Sequence, residues 1–291
     1  MPPFSLMQRF YPFLFVFLWS TGFIGAKYGL PYAEPLSFLL TRYGFVIALM
    51  TVIALATRAP WPREPVQWLH IAVSGLLVHA VYLGGVFVAI KHGLPAGVTA
   101  LVVGMQPLLT AFGAGWLLGE SVSGRQWGGL ALGFVGVGLV VSGKFGDGAA
   151  LGPMLIPALV ALLGITAGTL YQKRFCAAFD LRTGSVIQFV PTAIVTALVV
   201  ALFEDFRISW TPAFVFALGW LVLVLSIGAI SLLNLLIRSG SAVNVASLFY
   251  LTPLSTALIA WVVFGEKLTL TAAAGMLLAV SGVYLVARPA K

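Results

Sequence analysis

Long apolar stretches run through the whole chain, separated by short segments that carry charges, prolines and glycines. About 20 predominantly apolar residues are enough to cross the hydrocarbon core of a bilayer as an α-helix. Ten stretches meet this requirement and predict ten transmembrane helices: 10–28, 36–57, 66–90, 95–118, 125–143, 152–172, 183–203, 212–237, 241–264 and 270–287. We therefore predict an all-α integral membrane protein.

The composition supports a membrane location. Of the 291 residues, 60% are hydrophobic and 8% are charged, and the mean hydropathy is +1.06. A soluble globule of this size would need about a quarter of its surface residues to be charged. The single cysteine, Cys176, excludes an intrachain disulfide and a cysteine-based metal cluster, and no cofactor or metal site is predicted.

The basic residues predict a topology rather than an acidic partner such as nucleic acid. With a cytoplasmic N-terminus, ten of the 16 Lys and Arg residues fall on the inside and six on the outside, as the positive-inside rule expects. Because the number of helices is even, both termini would be cytoplasmic. The outside group comprises Lys27, Arg42, Lys91, Lys144, Arg207 and Lys267.

Residues 96–140 recur, divergently, at 242–286 with a constant shift of 146 positions. The shift carries Pro107 onto Pro253 and Gly119-Glu120 onto Gly265-Glu266. We predict two five-helix repeats, residues 1–145 and 146–291. Because five is odd, the second repeat would enter the membrane from the opposite side, and inverted repeats are the architecture of alternating-access transporters.

Pro107 and Pro253 each lie within a predicted span, where a proline removes a backbone hydrogen bond and kinks the helix. Paired bent helices commonly flank the substrate cavity of a transporter, so both prolines are candidate gating residues. The alternative is a kink that serves packing alone.

Several motifs carry a family resemblance: the proline pair, the segments Leu118-Gly119-Glu120 and Phe264-Gly265-Glu266, and Trp19-Ser20-Thr21-Gly22-Phe23 in the first helix. With these features the chain resembles the EamA-type ten-helix exporters of the drug/metabolite transporter superfamily. Its size and aromatic spans look closest to bacterial exporters of aromatic and neutral amino acids. The resemblance implies a secondary exporter in the bacterial inner membrane that binds a small molecule and needs no cofactor.

Polar residues deep in a span are expensive and are therefore functional candidates. We predict that they line an amphipathic substrate cavity: Trp19, Ser20, His79, Tyr82, Gln106, Tyr171, Gln188, Asn234 and Tyr250. His79 and Tyr82 are three positions apart and would share one helical face. A histidine satisfied by a neighbouring helix and an interfacial belt tryptophan are the alternatives for His79 and Trp19.

The remaining charged candidates favour structural roles. Arg42 could attract a carboxylate or could extend to the membrane interface, and we expect the latter. Glu120 and Glu266 end their helices and could cap the helix that follows. Lys27 and its repeat partner Lys173 suggest end-of-helix roles. Since no span carries a central Asp or Glu, we expect facilitated diffusion or exchange rather than carboxylate-based proton coupling.

Two other functions remain as alternatives. A nucleotide-sugar or lipid-linked metabolite translocator would need a broad basic groove, to which only Lys27, Arg42 and Lys91 could contribute. An intramembrane enzyme would need convergent catalytic groups, which three histidines without midspan carboxylates do not supply. The sequence does not define the oligomeric state, and we expect a monomer.

Overall fold

The computed structural model of the chain describes residues 6–94, 96–142, 152–176, 179–264 and 269–287. These residues form helices joined by short connections, and one isolated antiparallel bridge links Ala33 to Ile208. The first seven helices are α1 Leu6–Gly29, α2 Pro35–Ala56, α3 Pro65–Gly75, α4 Gly84–Lys91, α5 Ala96–Val103, α6 Gln106–Leu118 and α7 Gly124–Ser142. The others are α8 Gly152–Phe175, α9 Leu181–Phe203, α10 Pro212–Trp220, α11 Ile230–Ser239, α12 Ala242–Ser247, α13 Leu251–Phe264 and α14 Leu270–Ala287.

Eight helices within the described residues are long and apolar enough to cross a membrane. They overlap eight of the ten predicted stretches, and several extend a few residues beyond the predicted bounds. The other two predicted stretches, 125–143 and 241–264, are also helical, as α7 and as α12 followed by α13. The all-α membrane class is thus confirmed, while the total of ten spans stays a prediction.

Two π-helical segments occur at matching places in the chain. Leu76–Leu83 joins α3 to α4, and Leu221–Ala229 joins α10 to α11. Each segment forms one continuous helix with the helices on either side of it. Shifting the first segment by 146 positions gives residues 222–229, almost the whole of the second. Such wide turns are rare in α-helices and frequently mark functional sites.

The helices that contain the two prolines are interrupted just before them. Between α5 and α6 the helix breaks at Gly104 and Met105, and Pro107 is the second residue of α6. A 3₁₀ turn, Leu248–Tyr250, separates α12 from α13, in which Pro253 is the third residue. A proline has no N–H to donate and its ring crowds the preceding turn, which accounts for both breaks.

Helices α7 and α14 pack backbone to backbone through glycines. A Cβ atom on Gly129 would lie 2.7 Å from the carbonyl oxygen of Gly282, and one on Gly136 would lie 2.5 Å from that of Gly275. Partner numbers fall as residue numbers rise, so the two helices are antiparallel. Small residues permit this close approach in lipid, where packing drives helix association.

The remaining helices interlock across the midpoint of the chain. Helix α1 packs against α13 and the second π segment, while α8 packs against α6 and the first π segment. The interface between α8 and the first π segment is the tighter one. A Cβ on Gly168 would lie 2.6 Å from Val78 Cγ2, and one on Gly164 would lie 2.9 Å from the Tyr82 nitrogen. At Gly75 a Cβ would similarly meet the Gln188 backbone, 2.6 Å away.

Acidic side chains cap helices that are distant from them in the sequence. Both carboxylate oxygens of Glu120 accept a hydrogen bond from Ala242 N at 3.1 Å, so Glu120 caps α12 and not α7, the helix that follows it. The prediction that Glu120 caps the next helix is wrong, because the loop brings the start of α12 within its reach. Glu266 lies outside the described residues. Glu204 caps α2, accepting from Leu36 N at 2.9 Å and Ser37 N at 2.8 Å.

Two lysines tie helix ends together. Lys173 Nζ donates to the carbonyls of Ile237 in the last turn of α11 and of Gly240 just after it, at 2.9 and 2.5 Å. In the first half the corresponding bonds come from Lys91, which donates to Leu30 and Ala33 beyond α1, each at 3.3 Å. Lys27 is exposed at the end of α1.

Candidate functional site

A cavity with about 430 Å³ of empty space, part of it open to the surroundings, lies between α1, α2, α4 and the two π segments. Its walls are mainly aliphatic and aromatic, with Arg42 as the charged residue among them. The full lining is Trp19, Gly22, Phe23, Ala26, Arg42, Tyr82, Leu83, Val86, Phe87, Leu221, Leu225 and Ile230. These positions lie towards the membrane face at which α1 ends and α2 begins.

Aromatic rings lie on the side of the cavity towards the start of α1. Trp19 packs against Phe15 and Phe249, with ring centroids 5.2 and 5.3 Å away. The Tyr82 ring lies almost parallel to the indole, 6.2 Å between centroids with an interplanar angle of 10°. Trp19 is only 5% exposed, so it is an interior residue and not a belt tryptophan.

A second aromatic group lies between the cavity and the membrane face where α1 ends. Phe38 contacts Phe87 and Phe214, with ring centroids 5.6 and 4.9 Å away. The Phe38 ring occupies the space where a Cβ on Gly29 would be, so glycine is required there. Buried aromatic side chains therefore lie on both sides of the cavity, towards the start and towards the end of α1.

Arg42 is buried inside the protein. Its side chain is 3% exposed, and its Nε donates a hydrogen bond of 2.9 Å to Ser226 Oγ in the second π segment. Among the described residues no carboxylate forms an ion pair with it. The expectation that Arg42 extends to the interface is wrong, because α2 turns this residue towards the cavity rather than the lipid.

His79 and Tyr82 do not share a face, although their spacing predicted that they would. Tyr82 lines the cavity, whereas the His79 ring stacks on Phe189 at a centroid distance of 4.1 Å. The π segment explains this difference, because i→i+5 bonding puts more residues into each turn and separates positions three apart. Neither ring nitrogen of His79 has a hydrogen-bond partner in the described part of the chain.

Three of the predicted substrate-binding residues have amide side chains, and each forms a hydrogen bond with a side chain of another helix. Gln106 Nε2 donates to Thr169 Oγ1 at 3.4 Å, Gln188 Nε2 to Ser74 Oγ at 3.1 Å, and Asn234 Oδ1 accepts from Gln172 Nε2 at 2.8 Å. Each keeps one buried polar atom without a partner among the described residues: Gln106 Oε1, Gln188 Oε1 and Asn234 Nδ2. Buried atoms of this kind indicate places where water or a ligand can bind.

Three further candidates lie away from the cavity. The Ser20 hydroxyl bonds to the carbonyl oxygens of Val16 and Thr252, at 2.6 and 3.2 Å. Tyr171 lies near the end of α8, where its hydroxyl is 2.7 Å from His70 Nδ1. The Tyr250 ring packs against Gly133, and its hydroxyl has no partner in the described residues.

The cavity thus contains two of the nine predicted substrate-binding residues, Trp19 and Tyr82. Sequence reasoning missed the apolar remainder, although one signal was present. Gly22, Phe23 and Ala26 follow Trp19 at spacings of three, four and seven, which is one face of an α-helix.

Comparisons with known proteins agree with this architecture. The chain is 30% identical over 282 residues to the uncharacterized transporter YvbV of Bacillus subtilis (strain 168), covering 93% of this chain and 88% of that one. It is 27% identical over 260 residues to the uncharacterized inner membrane transporter YedA of Escherichia coli (strain K12), covering 88% and 83%. A probable amino-acid metabolite efflux pump of Salmonella typhimurium is 25% identical over 291 residues, covering 97% and 95%.

These relatives are named as transporters and not as enzymes. The model of the EamA-like transporter family matches residues 9–142 and again residues 152–288, which together make up nearly the whole chain. The chain is therefore a multi-pass membrane protein of the EamA-like transporter family, within the drug/metabolite transporter superfamily.

Proposed function

We propose that this protein exports small amphipathic metabolites, with aromatic and neutral amino acids as the first class to test. The observation that carries the proposal is an aromatic cavity with a buried guanidinium group, that of Arg42, in its wall. Its lining is mainly apolar and aromatic with a single charged group, which is the chemical character of small-molecule sites. The name of the Salmonella relative supports the amino-acid class, and that of the Escherichia relative supports the bacterial inner membrane.

Transport would proceed by alternating access between two inverted halves, residues 1–145 and 146–291, with both termini in the cytoplasm. The antiparallel glycine contacts support such a relation. Gly275 is the repeat counterpart of Gly129, and Gly282 is that of Gly136, so the two contacts exchange when the halves are exchanged. A twofold axis between α7 and α14 has this property.

The repeat also suggests which residues would line a cavity that opens to the opposite membrane face. Five cavity residues, Gly22, Phe23, Ala26, Arg42 and Leu225, have the counterparts Gly168, Thr169, Gln172, Gln188 and His79. These counterparts lie at the tight interface of α8 and α9 with the first π segment. Exchanging the packing of the two interfaces would close the present cavity and open one lined by polar residues, including the predicted His79 and Gln188.

Pro107 and Pro253 would allow this exchange. Each follows a helix break, and the broken helices contact α8 and α1 respectively. Bending at these breaks can move α8 and α1 relative to the π segments without unfolding either span.

The alternative of a nucleotide-sugar translocator is less well supported by the cavity. A diphosphate would need several cations in a wide groove, and Arg42 is the charged residue in the cavity lining. Lys27 is exposed, and Lys91 bonds to carbonyls at a helix end.

The test is uptake of radiolabelled phenylalanine, methionine and threonine by proteoliposomes, with and without a pH gradient. We expect saturable uptake that is indifferent to the gradient. Trp19→Ala should lower it at least tenfold, about 1.4 kcal/mol, because it opens one wall of the cavity. Trp116→Ala is the matched control, since Trp116 is 90% exposed. Folded protein that moves nucleotide-sugars but no amino acid would overturn the proposal.

A further inference from the structure

Arg42 has a positive charge that the described protein does not neutralise. Of the eight acidic residues, six are described, and all six lie at helix ends or in connections. Glu34, Asp180 and Asp205 pair with lysine or arginine, Glu120 and Glu204 cap helices, and Glu64 precedes α3. The Ser226 hydroxyl supplies a hydrogen bond but no negative charge.

A buried guanidinium without a counter-ion is costly in a low-dielectric interior. Such a group in the wall of a cavity marks a site for an anion, since a ligand can supply the missing charge. Ser226 engages Nε, and within the described residues the two terminal nitrogens of Arg42 form no hydrogen bond, so they can bind a ligand. Their planar geometry matches the two oxygens of a carboxylate.

The rest of the lining defines the other end of the ligand. Trp19, Phe23 and Phe87 surround the volume next to Arg42, together with aliphatic residues. None of the lining residues is acidic, so nothing there would form an ion pair with an ammonium group.

We propose that Arg42 is the carboxylate-binding residue of the cavity, and that the substrates are monocarboxylates with an aromatic or aliphatic tail, whether or not they carry an α-amino group. This inference rests on the proposed transport function and narrows its substrate class. Ser226 is a positioning residue that orients the guanidinium.

The test is a matched series of probes that share one phenyl tail: 3-phenylpropionate, phenylalanine, phenylalaninamide and phenethylamine. Binding to the purified protein is measured by ligand-dependent thermal stabilisation. We expect 3-phenylpropionate and phenylalanine to bind, and the two probes without a carboxylate to bind at least tenfold more weakly. 3-Phenylpropionate should bind at least as tightly as phenylalanine.

Two substitutions of Arg42 separate charge from fold. Arg42→Gln should lower the affinity for both carboxylates by about 10- to 100-fold, the range of hydrogen bonds to charged groups. Gln is the residue that the repeat has at the corresponding position, 188, which is also buried.

Arg42→Lys should restore part of the affinity, and Ser226→Ala should weaken carboxylate binding less than Arg42→Gln. Ligand-free Arg42→Gln should be at least as thermostable as the wild type, because an unpaired buried charge has been removed.

The inference is overturned if phenethylamine or phenylalaninamide binds as tightly as the acids, or if Arg42→Gln keeps wild-type affinity for them. Proteoliposome uptake of phenylalanine would persist in either case, so the transport proposal would survive. If none of the probes binds and no amino acid is transported, both proposals fail. The probe series on the wild type and Ser226→Ala decide the question even if Arg42→Gln does not fold.

Discussion

Gly136 and Gly275 meet through their backbones, so that a Cβ atom on either would lie 2.5 Å from the carbonyl oxygen of the other. Gly129 and Gly282 form the second such contact between α7 and α14. Adjacent glycines in α7 differ sharply in surroundings. Gly129 is buried against α14, whereas Gly128 is exposed with no atom near its would-be Cβ.

This difference predicts opposite effects of the same substitution. Gly129→Ala should destabilise the protein by about 1–3 kcal/mol, the usual cost of overpacking, because α7 and α14 must separate. Gly128→Ala should be neutral, or stabilise by up to about 1 kcal/mol through helix propensity. Thermal unfolding in detergent compares the two variants directly. Equal effects of the two changes would contradict the glycine contact.

Alternating access predicts that two introduced cysteines react from opposite faces. In a Cys176→Ser background, Ala26→Cys should react with a membrane-impermeant maleimide from the face where α1 ends. Its repeat counterpart, Gln172→Cys, should react from the other face, because it would line the cavity only when that side opens. Leu198→Cys, which is exposed on the side of α9, is the control and should stay unlabelled in lipid. Labelling of both test positions from one face would exclude the proposed exchange.

The native thiol should give little background in such experiments. Cys176 follows α8 directly, and burial raises its pKa to about 11. Because the thiolate is the reactive form, labelling at pH 7.5 should be slow. The rate should then rise about tenfold per pH unit up to pH 10, whereas an ordinary thiol levels off near its pKa of about 8.5. Intact-mass time courses in detergent measure these rates, and a plateau near pH 8.5 would show that the thiol is not buried.

Glu204 predicts a stability effect that its position in the sequence does not suggest. Its carboxylate caps α2 through the Leu36 and Ser37 amides, so Glu204→Ala should destabilise the protein by about 1–2 kcal/mol. Glu64 is the matched control, since it stands at the N-cap of α3 without a side-chain capping bond. A thermal-unfolding difference below about 0.5 kcal/mol between the two variants would argue against the cap.

Apolar length predicted the helices well, because a span must satisfy its own backbone polar groups and be apolar over about 20 residues. The positions of the helix breaks could also be predicted, because Pro107 and Pro253 stand just after them. These features depend on residues close together in the chain. The sequence therefore contained the information needed to predict them.

The candidate site was harder to predict, because its geometry depends on distant residues. The π segment turns His79 away from Tyr82, and nothing in the 3.6-residue periodicity indicates the extra residue in each turn. Arg42 is buried beside Ser226, 184 residues later in the chain, and the sequence does not indicate that the two residues meet. A list of polar residues also omits Leu221 and Leu225, whose aliphatic side chains complete the cavity wall.

The lysine bonds at the end of α1 have an energetic consequence for the proposed cycle. Lys91 lies 3.4 Å from the Glu34 carboxylate, both side chains are partly exposed, and exposed pairs of this kind contribute less than about 1 kcal/mol. In the proposed cycle, opening at this face would break these weak, salt-screened contacts and separate the packed rings of Phe38, Phe87 and Phe214. Opening at the other face would separate the close-packed residues around Gly75 and Gly168. Raising the ionic strength would therefore act on opening at the face where α1 ends, through the Lys91–Glu34 pair.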